Sequence, residues 1–306
     1  MLRALLISFS ESRSLRVVAE KSSLGRRVSS RFVAGTEIED VLRATQLINH
    51  NGATVSIDNL GENVSNIAEA RSSAQLYHSL LDAIASRGLQ ANISLKLTHM
   101  GLDVNESLAH ELVSGLVAKA AALKNFVRVD MEGSPYTQRT LDFVQKLHRA
   151  PAYRGAVGTV IQSYLYRSEK DVNDLLAAGI RIRLCKGAYK EKPEIAFQKK
   201  AEVDANYVKL MKTLMTSGIY HGLATHDERI IKEAKAFAIR EKIPPDSFEF
   251  QMLHGIRRDL QQQLVRQGWR MRVYIPFGTE WYPYLMRRLA ERPANLFFIL
   301  RNLFRA

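Results

Sequence analysis

The sequence predicts an α/β fold: a (β/α)8 barrel of the TIM type, with an N-terminal helical arm and a C-terminal helix over the barrel mouth. Two observations predict it. Eight short β-rich runs alternate with amphipathic, helix-like segments, and a βα unit repeated eight times is the signature of such a barrel. Polar or ionisable residues then fall at the same end of nearly every run, which is where barrel enzymes carry their chemistry. The length of 306 residues is enough for a substantial core.

Residues 1–50 read as the arm. Within it, RFVAGTEIEDVLRATQLINHNG (31–52) is an amphipathic helix, with Thr36 as N-cap, Glu39 at the capping-box position and Gly52 as terminator. The barrel occupies residues 51–306. Its strand candidates are TVSID (54–58), ISLKL (93–97), FVRVDM (126–131), TVIQSY (159–164), IRIRLC (180–185), GLATH (222–226), FEFQML (248–253) and RVYIPF (272–277). Helical spacing marks residues 64–88, which stop at Gly88, and also 167–179 and 227–243. A last helix follows the eighth strand and can lean over the mouth. The strand ends carry Asp58, Lys96, Asp130, Gln162, Arg183 with Lys186, Thr225 with His226, Gln251 and Tyr274.

Composition narrows the function classes. Apolar residues make up 46% and charged residues 25%, ordinary for a globular protein. The net charge of +13 and pI near 9.8 are not ordinary, and suit contact with an anionic molecule or surface. Basic tracts with interleaved aromatics and zinc-finger spacing are both absent, which argues against nucleic acid. One cysteine, Cys185, precludes an internal disulfide and fits a reducing cytoplasm. No apolar run is long enough to span a bilayer. The basic N-terminus faintly resembles a transit peptide, but a capping helical segment is the better reading.

The loops carry the chemistry. In RIRLCKGAYKE (181–191), Lys186 enters a Gly187-Ala188 turn, where small residues let backbone N–H groups approach a phosphate. In ATHDE (224–228), Thr225 and His226 can bond a phosphate or ribose, while Asp227 and Glu228 suit a helix's first turn and are given no chemistry. Lys96 and Asp130 lie on consecutive strands and can pair across the mouth. In WYPYLMRRLAERPAN (281–295), Tyr284 lies one turn before the adjacent Arg287 and Arg288, and Glu291 one turn after. Glu291 can hold the guanidiniums in place, and their mutual repulsion is tolerable if an anion arrives to share them. Histidine spacings give no metal site, and neither a Walker loop nor a strand-linked GxGxxG is present, so a Rossmann-type dinucleotide site is excluded. Two alternatives stay open from the residues alone: a barrel lyase or aldolase using Lys96 or Lys186 as a Schiff base, and a basic binding protein on an inactive barrel.

Seven segments in order, ISLKLTHMGLD, VRVDMEGSPY, GTVIQSYLYRS, RIRLCKGAY, LATHDE, FEFQMLHGIR and YIPFGTEWYPYLMRRLAERPAN, resemble the monofunctional bacterial proline dehydrogenases over about residues 31–300. That resemblance implies a distorted (β/α)8 barrel holding FAD non-covalently at the strand C-termini. It implies oxidation of L-proline to Δ1-pyrroline-5-carboxylate by hydride transfer from Cδ to flavin N5, with electrons passed to a membrane quinone. Carried over residue by residue, it makes Asp130 and Arg183 catalytic. Lys96, Arg287 and Arg288 hold the substrate carboxylate, and Tyr274 and Tyr284 wall the proline ring. Met131, Gln162, Lys186, Gly187, Ala188, Thr225 and His226 contact FAD. Two positions depart from the pattern: His254 and Asn59 stand where tyrosines are expected. The C-terminal ANLFFILRNLFRA (294–306) either packs on the barrel or touches the inner face of the cytoplasmic membrane.

Overall fold

Val, Ile or Leu occurs in each of the eight β-rich runs because the outer face of a barrel strand is covered by the helix ring. In the computed structural model, which describes residues 29–291 together with Ser22 and Gly25, these runs form β1 (Thr54–Asn59), β2 (Ala91–Leu95), β3 (Val127–Val129), β4 (Val157–Gln162), β5 (Arg181–Cys185), β6 (His221–Ala224), β7 (Phe248–Leu253) and β8 (Met271–Phe277). All pairings are parallel and in sequence order, and β8 pairs back onto β1 to close the barrel. Several strands stop sooner than their apolar runs. β2 lies two residues earlier than the run that announces it, because Lys96 and Leu97 already turn into a short 3-10 helix at Thr98–Met100. Asp130, Lys186, Thr225 and His226 likewise fall just past the strand ends. These residues therefore stand on the first turns of loops, clear of the sheet's hydrogen bonds.

The helices are α1 (Ile38–His50), α2 (Ile67–Ser86), α3 (Glu106–Ala122), α4 (Ser134–His148), α5 (Ser168–Ala177), α6 (Lys200–Met215), α7 (Glu228–Arg240), α8 (Arg258–Arg266) and α9 (Trp281–Glu291). The cap of α1 departs from the expected one. Glu37, not Thr36, is the N-cap, and its N–H donates to Asp40 at 3.2 Å, so Asp40 takes the place expected of Glu39. Asp40 is the residue three positions after the true cap, which is what the reciprocal bond requires. Gly52 does follow the helix at φ +80°. α1 buries Val41 and Leu42 in the main core and packs against β1 and β8.

α9 occupies a different place. Its Trp281, Tyr282, Tyr284 and Leu285 form a separate buried cluster with Phe32, Val33, Leu60 and Ile256. Leu60 and Ile256 follow the C-terminal ends of β1 and β7, so α9 lies over the barrel mouth. Residues 31–35 strap it there: Ala34 N–H donates to Pro276 O, and Gly278 N–H to Gly35 O, both at 2.9 Å. Gly255, at φ +75°, lies under this strap. A Cβ there would meet Arg31 O at 1.8 Å, so only glycine fits. The backbone of α9 carries Arg287, Arg288 and Glu291, but their side chains lie outside the described residues, as do residues 294–306 and the basic N-terminus. Among the described residues no helix is long and apolar enough to cross a membrane.

Candidate active site

Alternation along the strands sends every second side chain into the barrel. On β1 these are Ser56 and Asp58; beside them stand Ser94 and Lys96, Arg128 and Asp130, Arg183, Gln251, and Tyr274. Interior layers of this barrel are thus built of hydrogen-bonding groups where such barrels ordinarily stack Val, Ile and Leu. Buried polar groups are retained only when paired, so the pairing pattern is the site's architecture.

Arg183 is its hub. The buried guanidinium reaches across the barrel from β5. Nε donates to Gln251 Oε1 at 2.6 Å, Nη2 to Ser56 Oγ at 3.0 Å, and Nη1 to both Ser94 Oγ at 3.1 Å and Asp130 Oδ1 at 2.7 Å. Its carbon sits 5.1 Å from the Tyr274 ring centre, a cation–π contact. Asp130 is engaged on both oxygens in turn: Oδ1 also accepts from Ser94 Oγ at 2.7 Å, and Oδ2 from the Tyr274 hydroxyl at 2.9 Å. Gly222 makes room for Gln251, since a Cβ there would lie 2.3 Å from its Nε2.

Lys96 does not pair with Asp130. Its ammonium meets Asp58, at 3.2 and 3.4 Å from the two oxygens. Asp58 is the nearer partner because β1 adjoins β2, and Arg183 has already claimed Asp130. Burial pushes Asp58 up, and the neighbouring Asp130 charge adds to this, against the pull of Lys96. Burial opposes the charge on Lys96, but Asp58, Asp130 and Glu62 outweigh it and hold the ammonium above its ordinary value. Burial and both carboxylates push the Tyr274 hydroxyl well up, so it remains a donor. Tyr77 fixes the backbone below: its hydroxyl accepts from Asn59 N–H at 3.1 Å and donates to Ser94 O at 2.8 Å.

The rest of the rim is joined through loops. Buried Gln162, ending β4, donates to Glu132 O at 3.0 Å, and Glu132 takes the N–H and hydroxyl of Thr98 at 3.2 and 2.6 Å. Met131 is buried in the main core. Beyond β5, the Lys186 ammonium lies between Asp204 at 2.6 Å and Asp227 at 2.9 Å, and Lys200 pairs with the same two carboxylates. Asp227, read from sequence as a helix cap alone, is both cap and ion-pair partner; it accepts Arg229 N–H at 3.2 Å. Burial would raise it, but Lys186 wins and holds it at about 2. Thr225 Oγ1 accepts Asp227 N–H at 3.1 Å. His226 Nε2 accepts Leu253 N–H at 3.0 Å, which puts its proton on Nδ1.

The structure therefore bonds Arg183, Asp130 and Tyr274 directly, with Lys96 one carboxylate away. Tyr284 is buried in the α9 cluster instead. The residues that sequence reasoning passed over are Ser56, Ser94 and the role of Asp58. Their signal was present: each serine precedes a rim charge by two positions on one strand face.

His254, beside this rim, carries a pH prediction. Burial, with Arg258 nearby, lowers it to about 4. Below about 6.5 the unfolded chain takes up a proton that the folded protein resists. Stability is thus full above that pH and falls as pH drops towards 4. Buried His99 and His221 act in the same direction. His254→Tyr should make the fall shallower, measured as the urea midpoint at a series of pH values; an unchanged slope would refute it.

A proline dehydrogenase family profile matches residues 41–301. Proline dehydrogenase 1 of Bacillus subtilis subsp. natto is 38% identical over 304 residues, 99% of either chain. The proline dehydrogenase of Deinococcus radiodurans is 40% identical over 281 residues, 90% of either chain. Among solved structures, proline utilization A (PutA) from Bdellovibrio bacteriovorus, inactivated by N-propargylglycine, superposes with a TM-score of 0.81 at 26% identity over 87% of this chain; this chain spans 32% of that one.

Proposed function

The chain belongs to the proline dehydrogenase family and is an oxidoreductase acting on proline, and on that premise we propose the finer chemistry. L-Proline is oxidised to Δ1-pyrroline-5-carboxylate, with non-covalent FAD as the first electron acceptor and a membrane quinone as the next. The observation that carries this is the pair of buried ion pairs beneath the mouth, Lys96–Asp58 and Arg183–Asp130, tied together through Tyr274. They present fixed cations and donors where an amino-acid carboxylate and an electron-rich cofactor would need them.

The residues present fit a flavin nucleotide. Gly187, at φ +114°, lies against the Tyr164 ring, and a Cβ there would sit 2.3 Å from it. The turn thus packs its backbone directly on that ring, where a side chain would not fit. The Tyr164 hydroxyl beside it is buried without a hydrogen-bond partner. Gln162, Thr225, His226, Met131 and the turn Lys186–Ala188 would hold the cofactor. Because Asp204 and Asp227 already hold the Lys186 ammonium, we assign the diphosphate contact to the backbone N–H groups of that turn. FAD, when bound, supplies at N5 the acceptor for a hydride from proline Cδ.

The chain's own residues do the positioning. Lys96, with Arg287 and Arg288 from α9, clamps the carboxylate through charge-assisted bonds, leaving the ring to Tyr274 and Tyr284. The amine must be neutral when Cδ is oxidised, because its lone pair supports the developing iminium. Four nearby cations disfavour the protonated amine. Asp130, with bonds to both oxygens, orients Arg183 and Tyr274. α9 closes the mouth against water.

The test is direct. The protein should purify yellow or take up FAD, and proline should bleach it under anaerobic conditions. Colourless protein that cannot be reconstituted would refute the flavin reading, and yellow protein unaffected by proline would refute the substrate.

A further inference from the structure

The floor of the barrel, opposite the mouth, holds more positive charge than its own carboxylates balance. At the N-terminal ends of the strands a cavity of about 40 Å³ is lined by Arg128, Arg181, Arg183 and Arg272, with Glu249 and Tyr220. On that measure a single water-sized occupant needs roughly 10–15 Å³, so the space holds a small ion with its water.

Four guanidiniums here face one carboxylate. Arg183 has its own counter-charge in Asp130 at 2.7 Å. Arg272 takes Glu249, donating Nε to Oε1 at 2.6 Å. Glu249 is engaged on both oxygens: Gln251 donates to the same oxygen at 2.6 Å, and the Tyr220 hydroxyl to the other at 2.8 Å. Arg128 and Arg181 form no ion pair with a described carboxylate. Arg181 stacks on Phe126 and Tyr220. Arg128 is 5% exposed. Its Nη1 donates to the carbonyls of Thr159 and Arg181, both at 2.7 Å, while its buried Nε has no partner. Burial first, then the charge of Arg183, works against the charge on Arg128. A guanidinium does not shed its proton near neutral pH, and a buried charge with an idle donor is costly. The deficit calls for an anion.

We propose that this cavity binds a small monovalent inorganic anion, a halide or nitrate, among the guanidiniums of Arg128, Arg181 and Arg272 that line it. The site lies below the mouth, and Arg183 borders both. Gln251 donates to Glu249 below and accepts from Arg183 above. The anion thus steadies the layer on which the Arg183 hub rests.

Bromide is the probe. Crystals of the full chain grown in sodium bromide should show an anomalous peak in this cavity, among the guanidiniums of Arg128, Arg181 and Arg272. In solution, Tm should be about 2–4 °C higher in sodium bromide than in sodium gluconate of equal ionic strength, gluconate being too large for the cavity. Arg181→Gln, a half-exposed position, should keep the fold and lose most of that increment. Water alone in the cavity of bromide-grown crystals overturns the proposal, as does a bromide increment that Arg181→Gln leaves whole.

Discussion

Arg183→Met is expected to lower proline turnover by at least about 10²–10³-fold, the loss typical when a fixed donor is removed from a catalytic centre. It is also expected to cost about 3–5 kcal/mol of stability, because Asp130 is left buried without its cation. The two effects separate in a second variant. Replacing both partners, Arg183→Met with Asp130→Leu, removes the stranded charge and should restore much of the stability, but none of the turnover. Arg183→Lys should fall between. An ammonium keeps the charge but cannot serve Ser56, Ser94, Asp130 and Gln251 at once, as the planar fork does. Urea unfolding and the anaerobic rate of flavin reduction by proline read the two quantities independently. Wild-type stability together with a wild-type reduction rate in Arg183→Met would remove Arg183 from the centre of the site.

The asymmetry between what the sequence disclosed and what it withheld has a physical basis. All eight strands were legible, because short runs of β-branched, aromatic and other apolar residues bounded by turn residues have few other uses. Their ends were less so. Apolar character continues through Leu97 and Met131 after backbone pairing has stopped, since the loops at the mouth are themselves buried. The α1 cap lies one residue later than expected, at Glu37 and not Thr36, because residue preference favours the threonine and only the extended backbone at Glu37 shows where the helix begins.

Within the site, residue types were legible and partnerships were not. Lys96 and Asp130 stand on neighbouring strands and carry opposite charge, so pairing them was natural. The sequence does not reveal that Arg183, three strands from Lys96 in chain order, spans the interior to take Asp130 and so leaves Lys96 to Asp58. Long side chains in a closed barrel make contacts across the axis, which adjacency along the chain does not encode. The Lys186 cluster carries the same lesson. A Gly-Ala turn after a lysine suggests a phosphate contact, but Asp204 and Asp227 come from two other helical segments and converge on the ammonium.

Lys96→Met is expected to raise the KM for proline strongly while leaving the flavin content of the purified protein unchanged. Truncating one partner of a buried charge pair costs about 2–4 kcal/mol, which is roughly 30- to 1,000-fold in kcat/KM. The loss should fall on KM if Lys96 binds the carboxylate equally in the ground and transition states, and on kcat if its main work is to place Cδ. The first outcome is expected, because its ammonium is anchored to Asp58 from β1 and the carboxylate it would hold is unchanged by oxidation at Cδ. Asp58→Asn provides the control. It leaves the ammonium in the mouth without its anchor, so KM should rise less than in Lys96→Met. If Arg288 shares the same carboxylate, Lys96→Met combined with Arg288→Ala should cost less than the two separate losses added together, since groups acting on one anion are coupled. Strict additivity between them would mean that the two cations do not meet on one substrate carboxylate, and the clamp would have to be reassigned.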